Sequence, residues 1–166
     1  MPERKTVERA AKDKRQGKAP STQAGEFVRE EIDHIREGKH GARSTKQAIA
    51  IGLSKARRAG VDLTPPKKGS TSERTRASAK RAYAAGHEHE HPVSRKRSRA
   101  ATSALKREPH AAASKTALAR QAKSAASKRG ASERSAAARK AAQTKGAGGR
   151  AAAARKAART RARKRQ

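Results

Sequence analysis

Composition and charge lead to a chain that is mostly disordered with a small all-α element: an N-terminal helical hairpin plus an Ala/Lys/Arg-rich tail that becomes helical on nucleic acid. Three features carry this expectation. The 166 residues include one Phe, one Tyr and no Trp at a mean hydropathy of −1.11, which leaves no material for a single large core. The formal net charge is +30, and self-repulsion on that scale opposes compaction unless anions are bound. The charge is also unevenly placed: residues 1–66 hold 15 basic and 9 acidic side chains, whereas residues 67–166 hold 29 and 5.

Residues 1–20 are polar and end in Gly17-Lys18-Ala19-Pro20, so they are expected to form a flexible basic arm with at most one solvated helical turn. Residues 21–64 carry the foldable pattern, a helical hairpin module. Its first helix is expected to begin with Ser21 or Thr22 as the N-cap and to continue through Glu26 to Glu37. Val28, Ile32 and Ile35 recur at i, i+4 and i+7 on one face, Phe27 lies at the edge of that face, and Gly38 supplies the stop.

The second helix is signalled by Ser44-Thr45-Lys46-Gln47, a capping box in which the Ser44 hydroxyl accepts from the Gln47 N–H while the Gln47 side chain reaches back. It is expected over Thr45 to Ala59, with Ile49, Leu53 and Ala56 on one face and Gly60 as a left-handed cap covered by Val61. Helix one is rich in acids (Glu26, Glu30, Glu31, Asp33, Glu37) and helix two in bases (Lys46, Lys55, Arg57, Arg58), so the two complement each other as an antiparallel hairpin. The core predicted for it is Val28, Ile32, Ile35, Ile49 and Leu53. That is a thin core for some forty ordered residues, so a homodimer through the hairpin, a DNA-stabilised fold or a molten hairpin is expected.

Residues 65–91 are expected to form a linker containing His87-Glu88-His89-Glu90-His91, which matches the H-E-x-x-H pattern of zinc proteases. That chemistry needs a rigid buried helix and a third ligand, and the flanking Gly86 and Pro92 argue against both. His87, His89 and His91 are therefore expected to hold metal adventitiously at most.

Residues 92–166 are expected to be a disordered polycationic tail, with 23 Lys or Arg, two acids and no aromatic residue. The string Ala136-Ala137-Ala138-Arg139-Lys140-Ala141-Ala142 recurs sixteen residues later at Ala152 to Ala158, divided by the Gly146 to Gly149 breaker. Alanine favours helix, so these blocks are expected to order once phosphates neutralise their cations. The predicted nucleic-acid contacts are Arg95, Lys96, Arg97, Arg99, Lys128, Arg129, Arg139, Lys140, Arg155, Lys156, Arg159, Arg161, Arg163, Lys164 and Arg165.

Other classes fit less well. With no cysteine there is no thiolate nucleophile or disulfide framework, and no paired carboxylates, nucleophile elbow or phosphate-cradling loop stands in a fitting context. No enzymatic activity, cofactor or small-molecule substrate is expected. The longest apolar stretch, Ala48 to Leu53, is far short of a membrane span. A helix-turn-helix reader using Arg43, Thr45, Lys46 and Gln47 is disfavoured by the long connection from Gly38 to Arg43. Two aromatic residues are too few for stacking on single strands.

The run Ser44-Thr45-Lys46-Gln47-Ala48-Ile49-Ala50-Ile51-Gly52-Leu53-Ser54-Lys55-Ala56-Arg57-Arg58-Ala59-Gly60 resembles a short module of small basic bacterial proteins, mostly uncharacterised and sometimes labelled DNA-binding or plasmid-stabilising. With the preceding helix it covers about a quarter of the chain. The resemblance implies a bacterial cytoplasmic protein and supplies no activity or catalytic residues. The tail is similar in composition to histone-like Ala/Lys/Arg-rich tails. Charge and resemblance converge on a non-sequence-specific DNA-binding, nucleoid-associated or histone-like protein that neutralises and bridges phosphates. The alternatives are an RNA-binding or ribosome-associated basic protein, and a protein-docking adaptor held on DNA by its tail.

Overall fold

In the computed structural model, which describes residues 2–88 and 94–163, the chain is all-α. Seven helices are described: α1 (Arg4–Arg15), α2 (Pro20–Arg36), α3 (Thr45–Arg58), α4 (Glu73–His87), α5 (Arg95–Lys106), α6 (Lys115–Ser127) and α7 (Ala131–Arg163). A 3-10 turn, Ala111–Ala113, precedes α6. The expected disorder is thus overturned. The arm at 1–20 contains α1, the linker at 65–91 contains α4, and the described residues of the tail contain α5, α6 and α7.

The physical reason lies in what fills the core. Of thirteen buried apolar residues among those described, nine are alanine. An alanine loses no side-chain entropy on folding and lets two backbones approach closely, so helices can pack with few large side chains. Serine caps add to this: Ser72 accepts from the Thr75 N–H, Ser94 from the Arg97 N–H and Ser114 from the Ala117 N–H.

The chain divides into two compact units, residues 1–121 and residues 122–166. In the first, α2 and α3 form the expected hairpin. Along α3 the buried positions are Ala48, Gly52 and Ala56, spaced by four, and not the predicted Ile49 and Leu53, which are only partly buried. Ala48 packs with Ile32 and Ile35, Gly52 lies over Phe27 and Val28, and Ala56 packs with Ala24 and Phe27. Partners step backward along α2 as α3 advances, which makes the pair antiparallel. Ile32 and Ile35 hold the central places predicted for them, whereas Val28 is half-buried on their flank and Phe27, placed at the edge by sequence, is 1% exposed at the centre of its cluster.

Both turns after the hairpin helices close as expected from their glycines. Gly38 (φ 74) donates to the Ile35 carbonyl and Lys39 to the His34 carbonyl. Gly60 (φ 79) donates to the Arg57 carbonyl and Val61 to the Ala56 carbonyl. At the start of α3 the Gln47 N–H donates to Ser44 Oγ (3.2 Å), but Gln47 Oε1 accepts from the Arg43 N–H (2.8 Å) and not from Ser44. α2 begins at Pro20, with Ala19 and not Ser21 or Thr22 at the N-cap position, and buries Gln23 and Ala24 in its first turns.

The hairpin's thin core is completed by its own chain. α1 lays Thr6, Ala10 and Asp13 against α2, α4 lays Ala79 and Ala82 against α3, and Ala112 and Ala113 join Ile32, Ile35, Ala42 and Ala48. Backbone bonds sew the far segment in place: Gly41 donates to the Leu105 carbonyl (2.9 Å) and Ala42 to the Pro109 carbonyl (3.0 Å). Thr45 Oγ1 donates to the Ala112 carbonyl (2.7 Å) and Arg36 Nε to the Ala113 carbonyl (2.9 Å). The Arg57 guanidinium is buried, donating to the Leu63 carbonyl, and so orders the turn that leads to Pro65-Pro66.

The second unit holds the end of α6 and all of α7. Neither helix buries a residue, and α7 is interrupted at Gly146 (φ 64, ψ 172), inside the glycine breaker read from the sequence. Among the described residues no helix is long and apolar enough to cross a membrane.

Candidate nucleic-acid interface

The predicted phosphate contacts fall on helices, not on coil. Arg95, Lys96, Arg97 and Arg99 occupy the first half of α5; Lys128 and Arg129 lie between α6 and α7; Arg139 and Lys140 stand before the Gly146 break; Arg155, Lys156, Arg159, Arg161 and Arg163 follow it. All of these are exposed, whereas Lys164 and Arg165 lie outside the described residues. Arg155, Arg159 and Arg163 share one face at i, i+4 and i+8, which sets their Cα atoms about 6 Å apart along the axis. On α5, three cations crowd the first turn, where the helix dipole is already positive, so an approaching anion is favoured twice. The same helix presents Ser98, Thr102 and Ser103 beside Arg99 and Lys106, a side-chain set suited to phosphate oxygens.

The distribution of ion pairs sharpens this picture. Every acidic residue from Glu3 to Glu37 has a basic partner within 4 Å: Glu3 with His34 and Lys39, Glu8 with Arg4, Asp13 with Lys18, Glu26 with Arg9, Glu30 and Glu31 with Lys55, Asp33 with Arg29 and Arg36, and Glu37 with Lys39. Among the described residues none of the Lys or Arg from Arg95 to Arg163 pairs with a carboxylate. The acids are thus consumed inside the first unit and the cations are left facing water.

Several of these acids are tuned by their partners. Hydrogen bonds from His34 and Lys39 hold the Glu3 carboxyl below the usual carboxylate range, and the bonds to Glu37 and Glu3 raise the Lys39 ammonium. Burial pushes the Glu30 carboxyl up, but bonds from Thr6, the Glu3 N–H and Lys55 outweigh it, so Glu30 titrates below its ordinary value. Tyr83 donates to Asp62 Oδ1 at 2.5 Å, which raises the phenol, and its ring stacks on His87 with centroids 4.0 Å apart.

Other sequence-level candidates resolve differently. His87 ends α4 with Nδ1 2.9 Å from the Tyr83 carbonyl, while His89 and His91 lie outside the described residues. Of the four residues considered for a base-reading helix, Thr45 is buried on Ala112 and Gln47 is engaged by the Arg43 backbone. A cluster missed from sequence is Glu31, His34 and His40, on α2 and the turn after it. Its signal was the Glu-x-x-His spacing, completed only when the Gly38 turn brings His40 back.

Residues 3–68 match a family of unknown function (DUF6496), a span running from the start of α1 through the Pro65-Pro66 turn. No curated protein and no solved structure matches the chain.

Proposed function

We propose that this chain is a non-enzymatic nucleic-acid-binding protein that neutralises and bridges DNA phosphates without reading base sequence, as a nucleoid-associated protein would. One observation carries the reading. The acids of the first 37 residues are paired within the first unit, and the cations from Arg95 to Arg163 are exposed and have no carboxylate partner among the described residues. Unpaired surface cations gain free energy on meeting a polyanion, chiefly by releasing its condensed counterions. Cations mounted on helices also lose less conformational entropy on binding than cations on coil.

The cations of α7 also support non-specific contact. Beyond the Gly146 break, Arg155, Arg159 and Arg163 share one side while Arg150 and Arg161 stand on the opposite one, so the segment does not commit its cations to a single reading face. Pull-down from cells with separate nuclease arms tests the proposal. Capture lost with DNase supports DNA, capture lost only with RNase makes RNA the partner, and capture that survives both makes the chain a protein adaptor.

A further inference from the structure

We propose that Glu31, His34 and His40 form a divalent transition-metal site of the zinc type within the first unit. Glu31 and His34 stand at i and i+3 on α2, so both side chains leave the same face, a spacing used to aim carboxylate and imidazole at one ion in helical metal proteins. The Gly38 turn then reverses the chain and sets the His40 ring edge-on to that of His34, with centroids 6.1 Å apart. One ligand atom of each of the three residues lies within 4.8 Å of the other two.

Hydrogen bonding leaves the right lone pairs for an ion. His40 Nδ1 is 3.0 Å from the Gly41 carbonyl, which can only accept, so Nδ1 carries a hydrogen. In the neutral ring the Nε2 lone pair then faces Glu31 Oε1 at 3.3 Å. Two acceptors meet with no hydrogen between them. Glu31 is fully buried, and neither of its carboxylate oxygens receives a well-directed hydrogen bond. Lys55 Nζ lies 2.7 Å from Oε2 but outside the hydrogen-bonding directions. A cation between Glu31 Oε1 and His40 Nε2 would satisfy both, and Lys55 would keep Oε2.

His34 has the complementary arrangement. Its Nε2 is 2.8 Å from Glu3 Oε1, another acceptor, so Nε2 carries the hydrogen and Nδ1 keeps the lone pair. A carboxylate on the far nitrogen of one imidazole and a backbone carbonyl on that of the other are the outer partners that orient histidine ligands in metal sites. Two imidazoles and one carboxylate suit zinc, cobalt or iron and are too few oxygens for calcium or magnesium. Three acids, Glu3, Glu30 and Glu31, gather here with Lys39 and Lys55, so carboxylates are concentrated beside the two imidazoles in a chain of charge +30. A bound ion would tie α2 to the turn whose Gly41 and Ala42 are bonded to the Leu105 and Pro109 carbonyls.

The test is titration of chelator-stripped full-length protein with zinc by calorimetry, alongside the visible spectrum of the cobalt-loaded protein. His87→Ala/His89→Ala/His91→Ala is the control for adventitious binding. We expect one tight zinc per chain in the wild type and in that control, with a four-coordinate cobalt band in both. Affinity should fall at least about 100-fold, and the band should vanish, in His34→Ala and in His40→Ala, each checked for native helicity. Zinc should raise the melting temperature of the control but not that of His40→Ala. Equal affinity in wild type and His40→Ala, loss confined to the linker triple variant, or no saturable binding by the wild type would each overturn the site.

Discussion

Gly52 of α3 rests directly on Val28 of α2: a Cβ built on Gly52 would stand 2.6 Å from Val28 Cα and 2.9 Å from its nitrogen. The obstacle is backbone, which cannot swing aside as a side chain would. Gly52→Ala should therefore lower stability by up to about 2 kcal/mol, the overpacking cost of about 1–3 kcal/mol less the gain of about 1 kcal/mol in helix propensity. Thermal melts followed by circular dichroism decide it. A variant as stable as the wild type would mean that the two helices do not approach as closely as the geometry requires.

The first unit depends on residues far beyond the hairpin. A chain ended after Pro66 lacks α4, Ala112 and Ala113, so its helices should melt at a lower temperature and less cooperatively than those of a chain ended after Gln121. The longer fragment should unfold like the corresponding part of the full chain. Equal melting of the two fragments would remove the segment around Ala112 from the account of the core.

Glu30 predicts a pH dependence with a definite sign. Its carboxyl titrates below the ordinary range in the fold, so its charged form adds stability that is fully present above the unfolded value of about 4.3 and is lost as the pH falls through the folded value. Glu30→Gln should cost about 1–3 kcal/mol at pH 7, and that deficit should shrink toward pH 3. Denaturation of both proteins across this range provides the check; a deficit independent of pH would contradict the assigned partners Lys55, Thr6 and the Glu3 N–H.

Salt dependence tests the phosphate reading. If on the order of 10 phosphates are engaged, log K for duplex DNA should fall with log salt at a slope near −9, with little preference among sequences. Residues 122–166 carry 15 of the 23 Lys and Arg from Arg95 onward, so ending the chain after Gln121 should reduce the slope by half or more. A full-length slope shallower than about −3, or strong preference for one duplex, would falsify non-specific binding.

The α2–α3 hairpin was legible because its signals are local. Ser44 with Gln47, Gly38, Gly60 and the spacing of Ile32 and Ile35 each act within a turn or two. α1 and α4 were missed because their packing faces are Thr6, Ala10 and Asp13 in one and Ala79 and Ala82 in the other, which no search for large apolar residues detects. Glu30 and Glu31 were expected to complement the bases of the second hairpin helix, and both pair with Lys55. Their burial was not legible, because it depends on how three helices meet around Thr6 and Lys55. The exposed cations could be named from composition alone, whereas the cluster of Glu31, His34 and His40 required knowing where the Gly38 turn sends the chain.

The bonds from Thr45 to the Ala112 carbonyl and from Arg36 to the Ala113 carbonyl span 67 and 77 residues. Contacts of that reach set a long loop to be closed before they repay it, so they slow the final step of folding in a protein whose individual helices form quickly. During synthesis the Ile32 and Ile35 cluster has to wait, incompletely covered, until Ala113 has left the ribosome. Residues 122–166 emerge after that point, so the unit that pairs the acids has its segments available before the 15 Lys and Arg of those last helices leave the ribosome.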